Sequence, residues 1–217
     1  MEILIFVAAV VIAAIYLLIM RSHQRYSEPG SKQDIRNEEQ YGAPVKRLYT
    51  SSKVFTLHHR IEITDENEKV VYRAETKFPS IHDKTDIFDA NGRHVAYFER
   101  KLITLHEVHY VDMDNGKSFT LSNELLHIIK DVTNIEGLGW RIEGNFLQLN
   151  FTIKDADGEL IALVSQKLIS LHDKYALDIY KPEYEEEAVA LLITLQHMVN
   201  DRESAASAAS GSSSSGN

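Results

Sequence analysis

The stretch EYEEEAVALLITLQHMVN, Glu183–Asn200, decides the fold class. Its glutamates stand where the N-terminus of a helix favours negative charge, and Ala188–Ile193 is then apolar without a break. A helix that is apolar on all its faces must be buried, yet an apolar run of about twelve residues is too short to span a bilayer. We therefore predict a mainly β fold, an antiparallel β-barrel that encloses this C-terminal hydrophobic α-helix. A second membrane span is the alternative.

Short β-prone runs, among them RIEIT, HVAYFE and LIALVS, precede this helix and are typical of strands. The turns beside them carry Asp, Asn and Gly, which tolerate the positive φ of a hairpin tip. Asp65, Asp89 and Asp155 each stand twelve residues before a lysine, and Lys53, Lys77 and Lys101 follow one another at intervals of 24 residues. A unit of this length is too short for a βαβ crossover. The spacing therefore predicts repeated hairpins joined by corners.

Four of the lysines open a phrase that ends on a histidine five residues later. Ligands of one metal ion must converge on a point, whereas corners repeated round a barrel are spread along its rim. We interpret the phrases as structural corners; a metal site, or a pH-responsive or ligand-binding role, is the alternative. His109, in the run HEVHY, is discounted because residues three apart in a strand point to opposite faces. The four pairs are Lys53 and His58, Lys77 and His82, Lys101 and His106, and Lys167 and His172.

Recognisable catalytic and metal-binding patterns are missing from the sequence. It has no cysteine, which excludes disulfides and thiolate chemistry. The turns DMDNG and DADGE would need a glutamate at the twelfth position of an EF-hand loop, where Asn123 and Gln166 stand instead. There is no G-x-S-x-G, no H-E-x-x-H and no phosphate-binding glycine loop. We predict no catalytic residue, no metal site and no cofactor, hence a protein that is not an enzyme; cofactor-binding residues remain unknown.

The N-terminal run Ile3–Met20 holds eighteen residues without a charge. As a helix it is roughly 27 Å long, close to the thickness of a bilayer core. A cleaved signal peptide, the alternative, normally begins with a basic region. Because Lys and Arg favour the cytoplasmic side, we predict a single-pass protein of the cell membrane, with its N-terminus outside and its main domain cytoplasmic. The basic residues that follow the run are Arg21, His23 and Arg25.

These segments divide the chain into four parts. We predict a transmembrane anchor over residues 1–20, a flexible linker over 21–44, the barrel domain over 45–203 and a disordered Ser/Ala/Gly tail over 204–217. The net charge is −9, whereas nucleic-acid binding relies on a basic surface. No nucleic-acid partner is therefore expected.

The chain resembles the LURP-one-related family in its hairpins with Asp/Asn-Gly tips, its lysine corners and its terminal buried helix. The domain of that family is similar to the tubby C-terminal domain and to phospholipid scramblases. The resemblance implies a twelve-stranded barrel with the C-terminal helix through its middle. Tubby domains bind phosphoinositides and scramblases are associated with calcium-driven lipid movement, while an N-terminal span departs from typical members. The matching phrases are DANGRHVAYFERKLITL, WRIEGNF, DADGELIALVSQKLISLHDKYALDI and the helix after Lys181.

From these observations we expect a membrane-tethered, non-enzymatic cytosolic binding or scaffold domain. Its expected partners are the membrane itself, through a single integral span, and a lipid headgroup or a membrane protein. A phospholipid-handling, scramblase-like protein is the alternative, and it rests on likeness of fold alone.

Overall fold

The computed structural model describes residues 32–51, 60–77, 84–103, 106–122, 132–145, 150–169 and 172–211. Within these ranges the chain forms helix α1 (Lys32–Tyr41), twelve strands, a 3-10 turn (Pro182–Tyr184) and helix α2 (Glu185–Gly211). The strands are β1 (Lys46–Ser51), β2 (Arg60–Thr64), β3 (Val70–Lys77), β4 (Lys84–Asp89), β5 (His94–Ile103), β6 (His106–Met113), β7 (Ser118–Ser122), β8 (Val132–Ile135), β9 (Trp140–Asn145), β10 (Asn150–Lys154), β11 (Leu160–Ile169) and β12 (His172–Ile179).

All twelve strands form one antiparallel sheet in the order β7-β6-β5-β4-β3-β2-β1-β12-β11-β10-β9-β8. Two meanders, β1 to β7 and β8 to β12, are thus joined where the first strand pairs with the last. Their register runs from Lys46 opposite Ile179 to Ser51 opposite Lys174. The sheet curls into a nearly closed barrel, which confirms the predicted mainly β architecture with a C-terminal helix.

The junction of β1 and β12 carries a buried ion pair. The Arg47 guanidinium donates from Nε to Oδ1 of Asp178 at 2.5 Å and from Nη2 to Oδ2 at 2.9 Å. Asp178 is fully buried. The carboxylate is the main cause that raises the pKa of Arg47 further above its already high value. Because two parallel bonds constrain both planar groups, this pair fixes the register in which the two meanders meet.

At the opposite seam, between β7 and β8, the described residues form one backbone bridge. The N–H of Thr120 donates to the carbonyl oxygen of Glu136 at 3.1 Å. Gly137 follows with φ +100°, and a Cβ there would lie 2.3 Å from the carbonyl oxygen of Ser118. Only glycine allows the two backbones to come so close.

Helix α2 occupies the inside of the barrel. Every residue from Ala188 to Val199 is buried. The inward side chains of the strands, such as Phe98, Val111 and Phe151, are at most 2% exposed and belong to the same apolar cluster. Trp140 is buried too, with its ring edge-on to Tyr184 at 5.5 Å between centroids, so it packs inside the barrel.

Three hairpin tips repeat one turn. Asp65, Asp89 and Asp155 each donate their N–H to the carbonyl oxygen four residues on at 2.9–3.0 Å. The Oδ1 of each accepts the N–H groups two and four residues on at 2.8–3.0 Å. The third residue after each aspartate has a positive φ, 61° at Glu68, 81° at Gly92 and 86° at Gly158. The spacing of the aspartates in the sequence therefore marks a real structural repeat.

The structure differs from two expectations about the flanking segments. Lys32–Tyr41, within the predicted linker, is helical; Asn37 is buried, Glu38 lies 3.8 Å from Arg47, and the ring of Tyr41 is edge-on to that of Tyr180. Ser204–Gly211, within the predicted disordered tail, continues α2. Alanine is the strongest helix former, and the buried part of α2 has already nucleated the helix.

Among the residues that the structure describes, no helix combines the length and the apolar character needed to cross a membrane. The predicted anchor, residues 1–20, lies outside the described residues.

Because the turns share one geometry, we predict that substitutions at the equivalent positions Gly92 and Glu68 change the free energy of unfolding in opposite directions. Gly92→Ala places a Cβ in open space but forces an L-residue into the left-handed region, which costs about 1 kcal/mol. Glu68→Gly removes the Cβ that disfavours the left-handed conformation. Part of this gain is lost because glycine has more conformational entropy in the unfolded chain, so the variant should raise the free energy of unfolding by about 0.5 kcal/mol. Urea unfolding of the full-length chain in detergent, followed by Trp140 fluorescence, measures both free energies. Shifts of the same sign would contradict the equivalence of the two turns.

Candidate functional site

One end of the barrel is rich in carboxylates, and we call it the acidic end. It comprises the tips that follow β2, β4, β6, β8 and β10 together with the first turn of α2, and the chain enters β1 there. Its carboxylates are Asp65, Glu66, Glu68, Asp89, Asp114, Glu136, Asp155, Asp157, Glu159, Glu183, Glu185, Glu186 and Glu187, against the cations Lys46, Lys69, Arg93, Lys117 and Lys181.

The first turn of α2 is tied to this rim by its three consecutive glutamates. Glu185 accepts from Lys46 at 2.6 Å and from the Tyr72 hydroxyl at 2.7 Å. Glu186 pairs with Arg93. Glu187, 1% exposed, accepts from Lys117 Nζ at 2.5 Å and from Asn115 Nδ2 at 2.9 Å. The glutamates expected at the helix N-terminus therefore fix α2 to strands and turns around the barrel.

Because four of its five cations are already engaged, the acidic end has little positive charge to offer an anion. Lys46, Arg93 and Lys117 pair with the glutamates of α2. Lys181 contacts Asp155 at 2.6 Å and Glu159 at 2.5 Å, and these hydrogen bonds raise the pKa of its ammonium. A phosphate group that approached one of these four cations would compete with its carboxylate partner.

Two surface cavities open at the acidic end. One, of about 310 Å³, lies over the first turn of α2. The other is a groove of about 400 Å³ where the chain passes from α1 into β1; Val45, 66% exposed, stands in it. Both cations of the groove are paired, Lys46 with Glu185 and Arg47 with Asp178. The groove residues are Glu38, Ala43, Pro44, Val45, Lys46, Arg47, Asp65, Glu66 and Asn67.

A second polar feature lies inside the barrel, in the half away from the acidic end. His109 on β6 faces inward and is fully buried, and His197 and Asp201 lie one turn apart on α2. The Nδ1 of His197 is 3.2 Å from Oδ2 of Asp201, and Arg100 Nη1 reaches the same oxygen at 3.4 Å. The candidate ligand atoms of the two histidines and Asp201 all lie within 4.8 Å of one another. We call these three residues the His-His-Asp cluster.

The environment of the cluster sets its charge. Burial is the main cause that lowers the pKa of His109 to about 3, and the neighbouring His197 adds to it, so this imidazole is neutral near pH 7. Burial alone would raise the pKa of Asp201, but the hydrogen bond from His197 and the charges of His197 and Arg100 lower it. Asp201 is therefore a carboxylate, with its side chain 30% exposed.

Several described side chains, Ser165 among them, have a buried polar atom without a hydrogen-bond partner, and His109 differs from them in having two such atoms. Neither of its ring nitrogens has a hydrogen-bond partner within the described part of the chain. Its ring contacts are with Phe98, at 6.3 Å between centroids, and with His197, at 6.2 Å. By contrast, Gln196 on the same helix accepts from the buried Thr50 hydroxyl at 3.0 Å.

The lysine–histidine phrases lie at strand connections. Lys101 lies on β5 and His106 begins β6, while Lys167 lies on β11 and His172 begins β12. Lys77 is the last residue of β3. The two phrases whose ends the structure describes lie at separate strand connections, and their interpretation as structural corners stays a prediction. His82 and the pair Lys53 and His58 lie outside the described residues.

The turns DMDNG and DADGE are hairpin tips, as predicted from the missing twelfth glutamate. The N–H of Gly116 donates to the Met113 carbonyl at 3.0 Å, and that of Gly158 to the Asp155 carbonyl at 3.1 Å. Sequence reasoning passed over the His-His-Asp cluster, because His109 and His197 are far apart in the chain. The sequence did contain one indication of the cluster: His197 and Asp201 are spaced i,i+4 at the end of the helix predicted to be buried.

A family model described as LURP-one-related matches residues 46–196. Among solved structures, an X-ray structure of an Arabidopsis thaliana protein matches with 14% sequence identity and a TM-score of 0.44, covering 70% of this chain and 93% of that one. No curated protein matches the chain.

At the acidic end, we predict that substitutions of two neighbouring glutamates lower the free energy of unfolding by unequal amounts. Glu187→Gln removes a buried carboxylate that accepts from Lys117 and Asn115, and it should lower the free energy of unfolding by about 2 kcal/mol. Glu186→Gln breaks an exposed pair with Arg93 and should cost less than about 1 kcal/mol. Both positions share the favourable field of the helix N-terminus, so the difference reports burial. Urea unfolding measures both, and equal losses would contradict the prediction.

Proposed function

The chain belongs to the LURP-one-related family, and on that premise we propose that it is a non-enzymatic binding domain held at the cytoplasmic face of the cell membrane by its N-terminus. Its partner in this proposal is a membrane protein, recognised through a basic segment, and no nucleic acid is involved. The observation that carries the proposal is the position of the acidic end, where the chain from the N-terminus enters the barrel.

The membrane attachment is supported by the sequence of the N-terminus. Ile3–Met20 is uncharged and, as a helix, about as long as a bilayer core is thick. Residues 21–31 reach at most about 40 Å when fully extended, and α1 adds about 15 Å. With the span in the bilayer, the acidic end stays within about 55 Å of the membrane.

The charge of this end favours a protein partner over a lipid headgroup. The cytoplasmic leaflet carries negative charge and attracts basic segments, whereas carboxylates dominate the acidic end and four of its five cations are engaged in ion pairs. Cytoplasmic segments next to membrane spans are enriched in Lys and Arg. Such a segment complements the groove that contains Glu38 and Glu66, and the exposed Val45 offers it an apolar contact.

The packing of the barrel also bears on the scramblase-like alternative. A protein that carries a lipid inside a barrel needs a cavity, as larger or ligand-binding barrels have. Here the side chains from Ala188 to Val199 occupy that space, so a lipid would have to bind on the outer surface or the rim. The absence of a recognised catalytic motif in the sequence supports a binding role.

Membrane attachment predicts the behaviour of the full-length chain in cell fractions. An integral span is held by the hydrophobic effect and not by charge, so we expect the protein to remain in the membrane pellet after washes with high salt and with alkaline carbonate. Detergent should release it. Release by either wash without detergent would overturn the tethering.

Recognition of a basic segment predicts a salt-dependent interaction. The full-length chain in vesicles of neutral phosphatidylcholine should bind a labelled Lys/Arg-rich peptide, with an affinity that falls as salt screens the charges. The double variant Glu38→Gln/Glu66→Gln should weaken binding about fivefold. The matched control Glu75→Gln, on an exposed carboxylate of β3 away from the acidic end, should not change it.

The outcomes of this experiment separate the alternatives. Equal binding by the double variant and the control would overturn recognition through the groove. Capture of anionic vesicles that are added in place of the peptide would favour a lipid headgroup instead. Accelerated exchange of labelled lipid between leaflets in the presence of calcium would favour the scramblase-like function.

A further inference from the structure

We propose that His109, His197 and Asp201 form a binding site for a divalent transition-metal ion of the zinc class inside the barrel. The proposal goes beyond the proposed function, because it concerns the interior of the fold and not the surface of the acidic end. It rests on the geometry of the three side chains, on the hydrogen bonding of His109 and on the chemistry of the donor set.

The geometry is close to that of a metal site. Zinc takes four ligands in a tetrahedron at about 2.0–2.1 Å, which places neighbouring ligand atoms about 3.3 Å apart. His197 Nδ1 and Asp201 Oδ2 are 3.2 Å apart, since residues at i and i+4 share one face of a helix. The ligand atom of His109 lies within 4.8 Å of both. A shift of about 1.5 Å in that side chain completes three corners of the tetrahedron.

His109 provides the observation that a packing role alone does not explain. A buried polar group without a hydrogen bond costs about 1–3 kcal/mol, and both nitrogens of His109 lack a partner among the described residues. A neutral imidazole binds metal through its lone pair, and burial keeps this ring neutral. Coordination would give one nitrogen the partner that the surrounding strands do not provide.

The donor set selects the class of metal. Two imidazoles with one carboxylate suit zinc and its neighbours in the first transition row, whereas calcium and magnesium prefer oxygen ligands. Three protein ligands leave the fourth position to water or to a small anion. Phe98 closes one side of the site, with its ring 5.5 Å from that of His197, and the side chain of Asp201, 30% exposed, leaves a path for the ion.

Arg100 is the residue that works against a cation here. Its Nη1 lies 3.4 Å from Oδ2 of Asp201, so part of the carboxylate charge is already balanced. Asp201 has a second oxygen, however, and carboxylates that bind metals are commonly held in place by hydrogen bonds of this kind. We therefore expect a site that binds one ion per chain, more weakly than a closed site with four protein ligands.

The test uses the full-length chain, purified in detergent and stripped of metal by a chelator that is then removed. Titration with Zn²⁺ in competition with a coloured chelator should show one ion bound per chain. Co²⁺ in its place should give the intense visible absorption of a four-coordinate site. Bound zinc should also raise the melting temperature, because a ligand that binds only the folded state stabilises it.

Three variants locate the ion. His109→Phe keeps an aromatic ring against Phe98 and His197 while removing the ligand, and Asp201→Asn keeps the size of the side chain while removing its charge. Both should weaken zinc binding more than tenfold, with folding checked by circular dichroism. His94→Gln is the matched control, because His94 also contacts carboxylates, Asp114 at 2.8 Å and Asp86 at 3.4 Å, but on the surface.

Loss of zinc binding in the first two variants and its retention in His94→Gln would establish the site. Two results would overturn it: no stoichiometric zinc binding by the unmodified chain, or binding that His109→Phe and Asp201→Asn leave unchanged. Neither result would touch the proposed membrane attachment or the recognition of a basic segment, which are measured without metal.

Discussion

The burial of α2 on every side from Ala188 to Val199 is the constraint on which the rest of the structure depends. Each leucine or isoleucine in its central turns gains about 1.5–3 kcal/mol from being removed from water, but one sheet covers only one face of a helix. Complete coverage requires a sheet that curls round the helix and returns to itself. The pairing of β1 with β12 and the bridge from Thr120 to Glu136 accomplish this closure.

The charges on α2 then determine how it lies along the barrel. Its three consecutive glutamates bind to the rim at different points of the circumference, so the helix can neither sink further into the barrel nor rotate without breaking ion pairs. Farther along the same helix, His197 faces β6 and Asp201 faces β5, each at a fixed position along the barrel axis. The polar cluster in the interior thus owes its geometry to contacts made at the opposite end.

Local patterns explain how much of this could be predicted. The unbroken apolar run predicts a buried helix, and the repeated aspartates predict equivalent hairpin tips, because each depends on residues close together in the chain. The pairing of β1 with β12 and the meeting of His109 with His197 depend on closure of the whole barrel, which no short window contains. The helix of α1 escaped prediction for another reason: its sequence KQDIRNEEQY is mostly polar and contains no apolar stripe.

The pairing of the first strand with the last also sets the order in which the molecule can be completed. Ile179, the partner of Lys46, follows about 130 residues later in the chain, and α2 comes after both. At a synthesis rate of about 5–20 residues per second, the edge of β1 waits roughly ten seconds for β12. An unpaired strand edge can pair with other chains, and charged side chains disfavour such pairing. During synthesis, Lys46 and Arg47 thus oppose the pairing of β1 with other chains. In the finished barrel the same two residues form ion pairs.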